Sequence, residues 1–288
     1  MTSWTDVLLE PFALDFLQRA LLVGSLVAVL CGVVGTWVVI RGMAFLGEAL
    51  AHGMLPGVAL ATVLGLPVLA GGALSAVAMS LGIAALQRRG RLSYDTSIGL
   101  LFVSMLALGV IVISHSGSFA TDATAILFGD ILAIAPVDLV LLAAAAALGL
   151  LVAVLAHRPL VALALDPRIA AVLGLGPRVA QAALVGLVTL AVVASYHAVG
   201  SLLVVGLLLA PAVAAGHWTT RIPTRMLLAA AVGVAAVLLG LLVSWHAATA
   251  AGASVAASAI ALAGGSWALR EAVDALRSRT APAAVATP

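Results

Sequence analysis

Hydrophobic residues run through this chain in long uninterrupted blocks. The stretches LVLLAAAAALGLLVAVLA at 139–156 and MLLAAAVGVAAVLLGLLVSW at 226–245 are apolar on every face of a helix. Blocks of about 18 or more such residues are typical of transmembrane helices. Strands of a membrane barrel would instead alternate lipid-facing and lumen-facing residues, which these blocks do not. The pattern therefore predicts an all-α polytopic membrane protein.

The succession of blocks predicts nine membrane spans. Gly47, Gly53, Pro56 and Gly57 also permit the second segment to be re-entrant or broken, in which case the count is eight and the N-terminal side flips. The predicted spans lie near residues 17–40, 48–65, 66–87, 97–114, 136–156, 179–196, 198–216, 226–245 and 252–269.

Charged residues gather at the ends of these blocks. The chain is 64% hydrophobic and 8% charged, and its 13 basic residues are all arginines. Because basic residues concentrate on the cytoplasmic side of membrane proteins, nine spans put the N-terminus outside and the C-terminus inside. Basic residues at membrane edges do not indicate a nucleic-acid partner. The clustered arginines are Arg41, Arg88, Arg89, Arg91, Arg158, Arg168, Arg178, Arg221, Arg225, Arg270, Arg277 and Arg279.

Little of the chain lies outside the membrane domain. We expect residues 1–16 to form an extracytoplasmic segment and residues 17–270 to form a single transmembrane domain. Residues 271–288 then form a cytoplasmic tail, which ends in the low-complexity stretch TAPAAVATP and is expected to be partly disordered.

Two residue counts exclude some chemistry. Cys31 is the only cysteine, so the chain has no internal disulfide and no cysteine cluster for a metal. Without a lysine, the chain cannot form the GxxxxGK[ST] loop that binds nucleotide phosphates, so any ATP hydrolysis occurs on another polypeptide.

The stretch GMAFLGEALAHGMLPG at 42–57 carries an acid and an imidazole within apolar surroundings. On a helix, Glu48 and His52 lie one turn apart on the same face. Arg41 marks the cytoplasmic end, and seven to eleven residues at 1.5 Å each place the pair roughly 10 to 17 Å into the membrane. A carboxylate and an imidazole suit zinc and tolerate manganese, which indicates a candidate metal site.

The same pair has other readings. A hydrogen-bonded structural pair and a proton relay both fit the spacing. If the pair binds metal, two ligands from each protomer of a dimer could form a four-ligand site, or each protomer could add ligands from other spans. A sparse ligand set fits transport, because an ion held too tightly does not leave.

The cytoplasmic connection at 157–178 contains a predicted short helix at 166–174. Asp166 can cap its N-terminus, Pro167 suits its first position, and Gly174 can end it. A helix of about two turns is unstable alone in water, so it must pack on something. It either lies on its own membrane domain or docks into a groove of a cytoplasmic partner.

Several other polar residues and one proline are weaker candidates. Asp130 and His197 are expected near the outer mouth of a pathway, whereas His115, Asp122 and His246 read as solvated loop residues. Pro211 should kink its span, either as a static bend or as a point of gating.

Four blocks resemble the permease subunits of ATP-driven zinc and manganese importers, and they occur in that family's order. The blocks are TWVVIRGMAFLGEALAHGMLPGVALA, FGDIL, DPRIAAVLGLGPR and VGSLLVVGLLLAPAVAA. The resemblance implies a homodimer in the cytoplasmic (inner) membrane, separate ATP-binding subunits and an extracytoplasmic metal-binding protein. It also implies the type II fold of vitamin B12 importers. Two departures are Glu48, where the family commonly has aspartate, and WHAATAAGASVAASAI, which follows the family only loosely.

The resemblance assigns roles to the residues already singled out. It implies that Glu48 and His52 contact the transported metal and that 166–174 is the coupling helix for the ATP-binding subunits. In that helix, the residues expected to couple are Asp166, Pro167, Arg168, Ile169, Leu173 and Gly174.

The sequence therefore predicts a transport subunit that moves a divalent metal, zinc first and manganese second, and holds no permanent cofactor. The alternative is a proton-coupled carrier that works through Glu48 and His52 without an ATPase. A membrane metallohydrolase is disfavoured, because GEALAH lacks the HExxH order of ligands and base.

Overall fold

A computed structural model of the protein describes residues 10–88, 92–115, 131 and 135–280. Within these ranges every regular element is helical, which confirms the all-α prediction. A short 3-10 helix at Glu10–Ala13 precedes α1 (Asp15–Ile40), α2 (Ala44–Gly53), α3 (Leu55–Leu64), α4 (Val68–Arg88), α5 (Tyr94–His115), α6 (Pro136–Leu155), α7 (His157–Leu165), α8 (Pro167–Val172), α9 (Pro177–Gly216), α10 (Ile222–Ala247) and α11 (Ala251–Thr280).

The described ranges contain 8 helical segments that are long and apolar enough to cross a membrane. This is the lower of the two predicted counts, but its cause differs from the one expected. The segment predicted at 198–216 is present as Leu203–Gly216, which is shorter than the 18 residues a candidate span requires. Large apolar side chains such as Leu74 and Leu227, 72% and 74% exposed, give the bundle a lipid-compatible outer surface.

Helix α1 lies at the centre of the bundle and packs against α9 and α10. Glycines allow the close approach: a Cβ at Gly35 would collide with the backbone carbonyl oxygen of Leu208, and one at Gly32 would lie 2.7 Å from the Ala230 nitrogen. Close backbone packing through small residues is a main source of helix association in membranes. Trp37 is fully buried near the C-terminal end of α1.

The second predicted span is broken in the middle. Ala44–Leu64 has spanning length, but Met54 separates α2 from α3, each of 10 residues. Pro56 has no backbone N–H to continue the hydrogen-bond ladder of α2, which favours a break here. Helix α3 packs closely on α4, because a Cβ at Gly57 would collide with the carbonyl oxygen of Gly71.

A second break interrupts α9. Gly200 has φ 73° and ψ 169°, a backbone conformation suited to glycine, and it divides the helix into two parts. Pro211 lies inside the second part. A bend was predicted from the sequence at Pro211 but not at Gly200.

Helix α11 continues past the predicted boundary at residue 270. It extends to Thr280, and Arg270 pairs with Asp274 at 2.9 Å between Nε and Oδ2 on its exposed face. The first part of the predicted tail is therefore helical. The side of the membrane on which each terminus lies stays a prediction.

Candidate metal site and cytoplasmic segment

Glu48 and His52 lie one turn apart on α2 and contact each other. His52 Nδ1 is 3.2 Å from Glu48 Oε1, and the two side chains are 22% and 39% exposed, respectively. The pair is therefore partly open at the surface of a single chain. Both groups lie within a segment of membrane-spanning length.

The geometry leaves one imidazole nitrogen for a ligand. His52 Nδ1 also lies 3.1 Å from the backbone oxygen of Glu48. A proton on Nδ1 is donated to these oxygens, and Nε2 then keeps its lone pair. Metal-binding histidines commonly donate their other ring nitrogen to a carboxylate or a carbonyl in this way.

One wall of the site is aromatic. The His52 ring packs edge-on against the Phe102 ring of α5, with centroids 5.7 Å apart. The Phe45 ring also packs edge-on against Phe102, with centroids 5.4 Å apart. These contacts limit the orientation of the imidazole, and they leave the carboxylate of Glu48 as the more exposed member of the pair.

The end of α2 adds negative potential to the site. The helix ends at Gly53, directly after His52, and the carbonyl groups of a helix C-terminus carry a partial negative charge. Ser75 of α4 donates a hydrogen bond to the Gly53 carbonyl at 2.7 Å, which anchors the broken end. Broken membrane helices bind cations with such ends in several transporters. The imidazole of His52 therefore lies in the last turn of α2, where the helix end favours a cation.

One chain does not complete a metal site within the described ranges. No group of three or more His, Cys, Asp or Glu side chains there could hold an ion. Since zinc sites use about four ligands and manganese commonly more, the pair needs further donors. Cys31, the only cysteine, is fully buried in α1.

Among the weaker candidates with an ionisable side chain, the structure describes the side chain of His246 alone. Asp122 and Asp130 lie outside the described residues, as do the side chains of His115 and His197. His246 is exposed near the C-terminus of α10.

The predicted cytoplasmic helix is present as α8. The Asp166 carboxylate accepts a hydrogen bond from the backbone N–H of Arg168 at 2.6 Å, and Gly174 has φ 69°. The exposed side of α8 and of its C-cap residue Leu173 is apolar: Ile169, Val172 and Leu173 are 46%, 87% and 62% exposed. Ala170 is fully buried and packs the other side of α8 on the protein.

Two structural features here were not predicted from the sequence. Helix α7 begins at His157 and buries Leu160 and Leu163, but no side chain caps its start. Ser75 was not singled out because a serine in an apolar helix is common. The position of Ser75 opposite the broken end of α2 depends on how the helices pack, which a single sequence does not reveal.

Comparisons with known proteins match nearly the whole chain. The model of the ABC 3 transport family matches residues 13–268. The manganese transport system membrane protein MntC of Halalkalibacterium halodurans is 35% identical over 88% of this chain and 87% of its own length. A probable iron transport system membrane protein of Haemophilus influenzae is 31% identical over 84% of this chain and 89% of its own.

A solved structure has the same fold. A chain of PsaBC from Streptococcus pneumoniae, determined in complex with a Fab, superposes with a TM-score of 0.80 at 30% identity and covers 92% of this chain and 95% of its own length. Together with the family match over most of the residues, this likeness identifies the chain. It belongs to the ABC 3 transport family and is the membrane permease subunit of an ABC transporter, not an enzyme.

Proposed function

We propose that this chain is the permease of an ATP-driven importer that moves a divalent transition metal inward across the cytoplasmic membrane, with manganese as the first candidate. The observation that carries the proposal is the Glu48–His52 pair on a broken membrane helix. A carboxylate inside a membrane costs a few kcal/mol unless it lines a polar path, so its presence there calls for a function.

The relatives change the order of the metals. From the sequence, zinc was predicted first, because a carboxylate and an imidazole suit it. None of the three proteins named above is described as a zinc transporter, and the names of two carry manganese and iron. An oxygen and a nitrogen donor without a thiolate are compatible with manganese, whereas soft sulfur ligands would favour zinc. We therefore rank manganese ahead of zinc.

The missing ligands are best supplied by a second copy of the chain. The partly open side of Glu48, 39% exposed, can face the same residue of a partner across a two-fold axis. Two carboxylates and two imidazoles would then surround one ion. This homodimer and the type II fold of vitamin B12 importers remain parts of the proposal, as do the outside N-terminus and the inside C-terminus.

The α8 region is proposed as the docking element for the ATP-binding subunits. Its exposed apolar side chains, Ile169, Val172 and Leu173, would be unfavourable in water without a partner. Asp166, Pro167, Arg168 and Gly174 set the start and the end of the segment. A metal-binding protein on the outer side would deliver the ion.

Metal uptake by variants of the pair tests this function. We expect Glu48→Ala and His52→Ala each to lower ATP-dependent Mn²⁺ uptake by about tenfold or more, the loss that even a partner of a metal ligand can cause. Both variants should still copurify with the ATP-binding subunits, because neither residue belongs to α8, the proposed docking element. The measurement is ⁵⁴Mn uptake into liposomes that contain the permease, the ATP-binding subunits and the metal-binding protein.

Two exposed residues provide matched controls. Glu271→Gln on α11 and His246→Ala on α10 remove an acid and an imidazole elsewhere, and we expect both to leave uptake unchanged. Normal uptake by both variants of the pair would refute the site. Uptake by the permease alone, driven by a pH gradient, would replace the pump with a proton-coupled carrier.

A further inference from the structure

One arginine joins the end of α1 to two other elements at the cytoplasmic side. Arg41 directly follows α1, and its Nη1 donates a hydrogen bond to the backbone carbonyl of Leu163 on α7 at 2.7 Å. Its Nη2 lies 3.5 Å from Oε1 of Gln181 on α9, at the limit of a hydrogen bond. The side chain thus contacts residues 122 and 140 positions away in sequence.

The Leu163 carbonyl is available because of the proline that begins α8. In a continuing helix, this carbonyl would accept the backbone N–H four residues later, at position 167. Pro167 has no N–H, so the carbonyl needs another donor. A cation at a helix C-terminus is also favoured by the helix dipole. Arg41 therefore binds α7 at the point where the chain turns into α8.

Arg41 also lies directly before the metal-site helix. Gly42 has φ 65°, Met43 is 4% exposed, and α2 begins at Ala44, so Glu48 lies in the second turn that follows. The Gln181 amide nitrogen lies 3.8 Å from the Met43 sulfur. Gln181 thus contacts both Arg41 and Met43, and the turn between α1 and α2 is tied to α7 and α9 together.

The Arg41 guanidinium does not use all of its hydrogen-bond donors. Arg41 Nε is buried and has no hydrogen-bond partner among the described residues. A planar guanidinium offers five donors in a fixed fork, so a shift of one partner can be met by exchanging one hydrogen bond for another. Buried donors without partners are rare and call for an explanation.

We propose that Arg41 is a positioning residue that transmits movement of α8 to the helix carrying Glu48 and His52. This inference rests on the proposed function, in which the ATP-binding subunits displace α8. A displacement of α7 and α8 moves the Leu163 carbonyl. Because Arg41 is hydrogen-bonded to this carbonyl, the displacement is transmitted to the turn before α2. Arg41 does not touch the metal.

The test compares metal transport with ATP hydrolysis in the same vesicles. The complete importer is reconstituted with wild-type permease, Arg41→Gln or Arg41→Lys, and Mn²⁺ uptake and phosphate release are measured together. We expect the Mn²⁺ moved per ATP to fall about fivefold or more in Arg41→Gln, the lower range of allosteric coupling factors. The Mn²⁺ moved per ATP in Arg41→Lys should lie between the values of wild type and Arg41→Gln, because one ammonium can donate to the Leu163 carbonyl without reaching Gln181.

Arg158→Gln is the matched control, since Arg158 is an exposed arginine on α7 and its loss removes the same charge. It should keep the wild-type ratio. A wild-type value of Mn²⁺ moved per ATP in Arg41→Gln would overturn the inference. This includes the case in which uptake and hydrolysis fall by the same factor, which indicates a structural role only. If Arg41→Gln does not accumulate, a wild-type ratio in Arg41→Lys would overturn it. Wild-type vesicles without ATP-dependent uptake would contradict the proposed function itself.

Discussion

At the scale of single residues, the site depends on how a few polar groups are satisfied in an apolar setting. The spacing of Glu48 and His52 predicted that they share one helix face, and the structure brings them to 3.2 Å. The contact was predictable because it is local. The hydrogen bond from Ser75 to the Gly53 carbonyl was not, since it joins helices whose packing a single sequence does not reveal.

Replacement of Ser75 tests whether this hydrogen bond holds the broken end of α2. Ser75→Ala leaves the Gly53 carbonyl without this donor, and we expect a loss of about 1 to 3 kcal/mol, the usual cost of an unsatisfied buried group. The measurement is the free energy of unfolding in detergent. Ser104→Ala is the control, because Ser104 is exposed and donates to the Leu100 carbonyl of its own helix. Equal stability of the two variants would contradict the role of Ser75.

At the scale of elements, breaks in helices position the functional parts. Asp166, Pro167 and Gly174 predicted the short helix that the structure has at Pro167–Val172, because capping depends on neighbouring residues. Helix α7 was not predicted, because it is stabilised by burial of Leu160 and Leu163 against the bundle and not by local sequence signals. Its position fixes where α8 projects from the protein.

A charge placed on the exposed flank of α8 tests the docking role. We expect Leu173→Glu, at a side chain that is 62% exposed, to weaken binding of the ATP-binding subunits by about 2 kcal/mol or more, the scale of an interface hot spot. Leu173→Met keeps an apolar side chain of similar size and should bind normally. Affinities of the detergent-solubilised permease variants for the ATP-binding subunits measure this. Equal affinities of both variants would exclude Leu173 from the interface.

At the scale of the whole molecule, hydropathy located the starts of the long helices within a few residues, but it ended the last one at residue 269, well before Thr280. Of the nine or eight spans it allowed, the described ranges contain 8 candidates, and the break at Gly200 of α9 has no hydropathy signal because glycine is tolerated within apolar helices. The family could be predicted from motif order. A complete set of metal ligands could not, since the described residues contain no group of three or more His, Cys, Asp or Glu side chains that could hold an ion.

The central claim is that the imidazole of His52 binds the transported ion, and pulsed electron paramagnetic resonance on Mn²⁺ tests it directly. In the assembled importer loaded with Mn²⁺, we expect modulation from a directly bound histidine nitrogen. That signal should vanish in His52→Ala and persist in His246→Ala. A nitrogen signal that survives in His52→Ala would contradict the account.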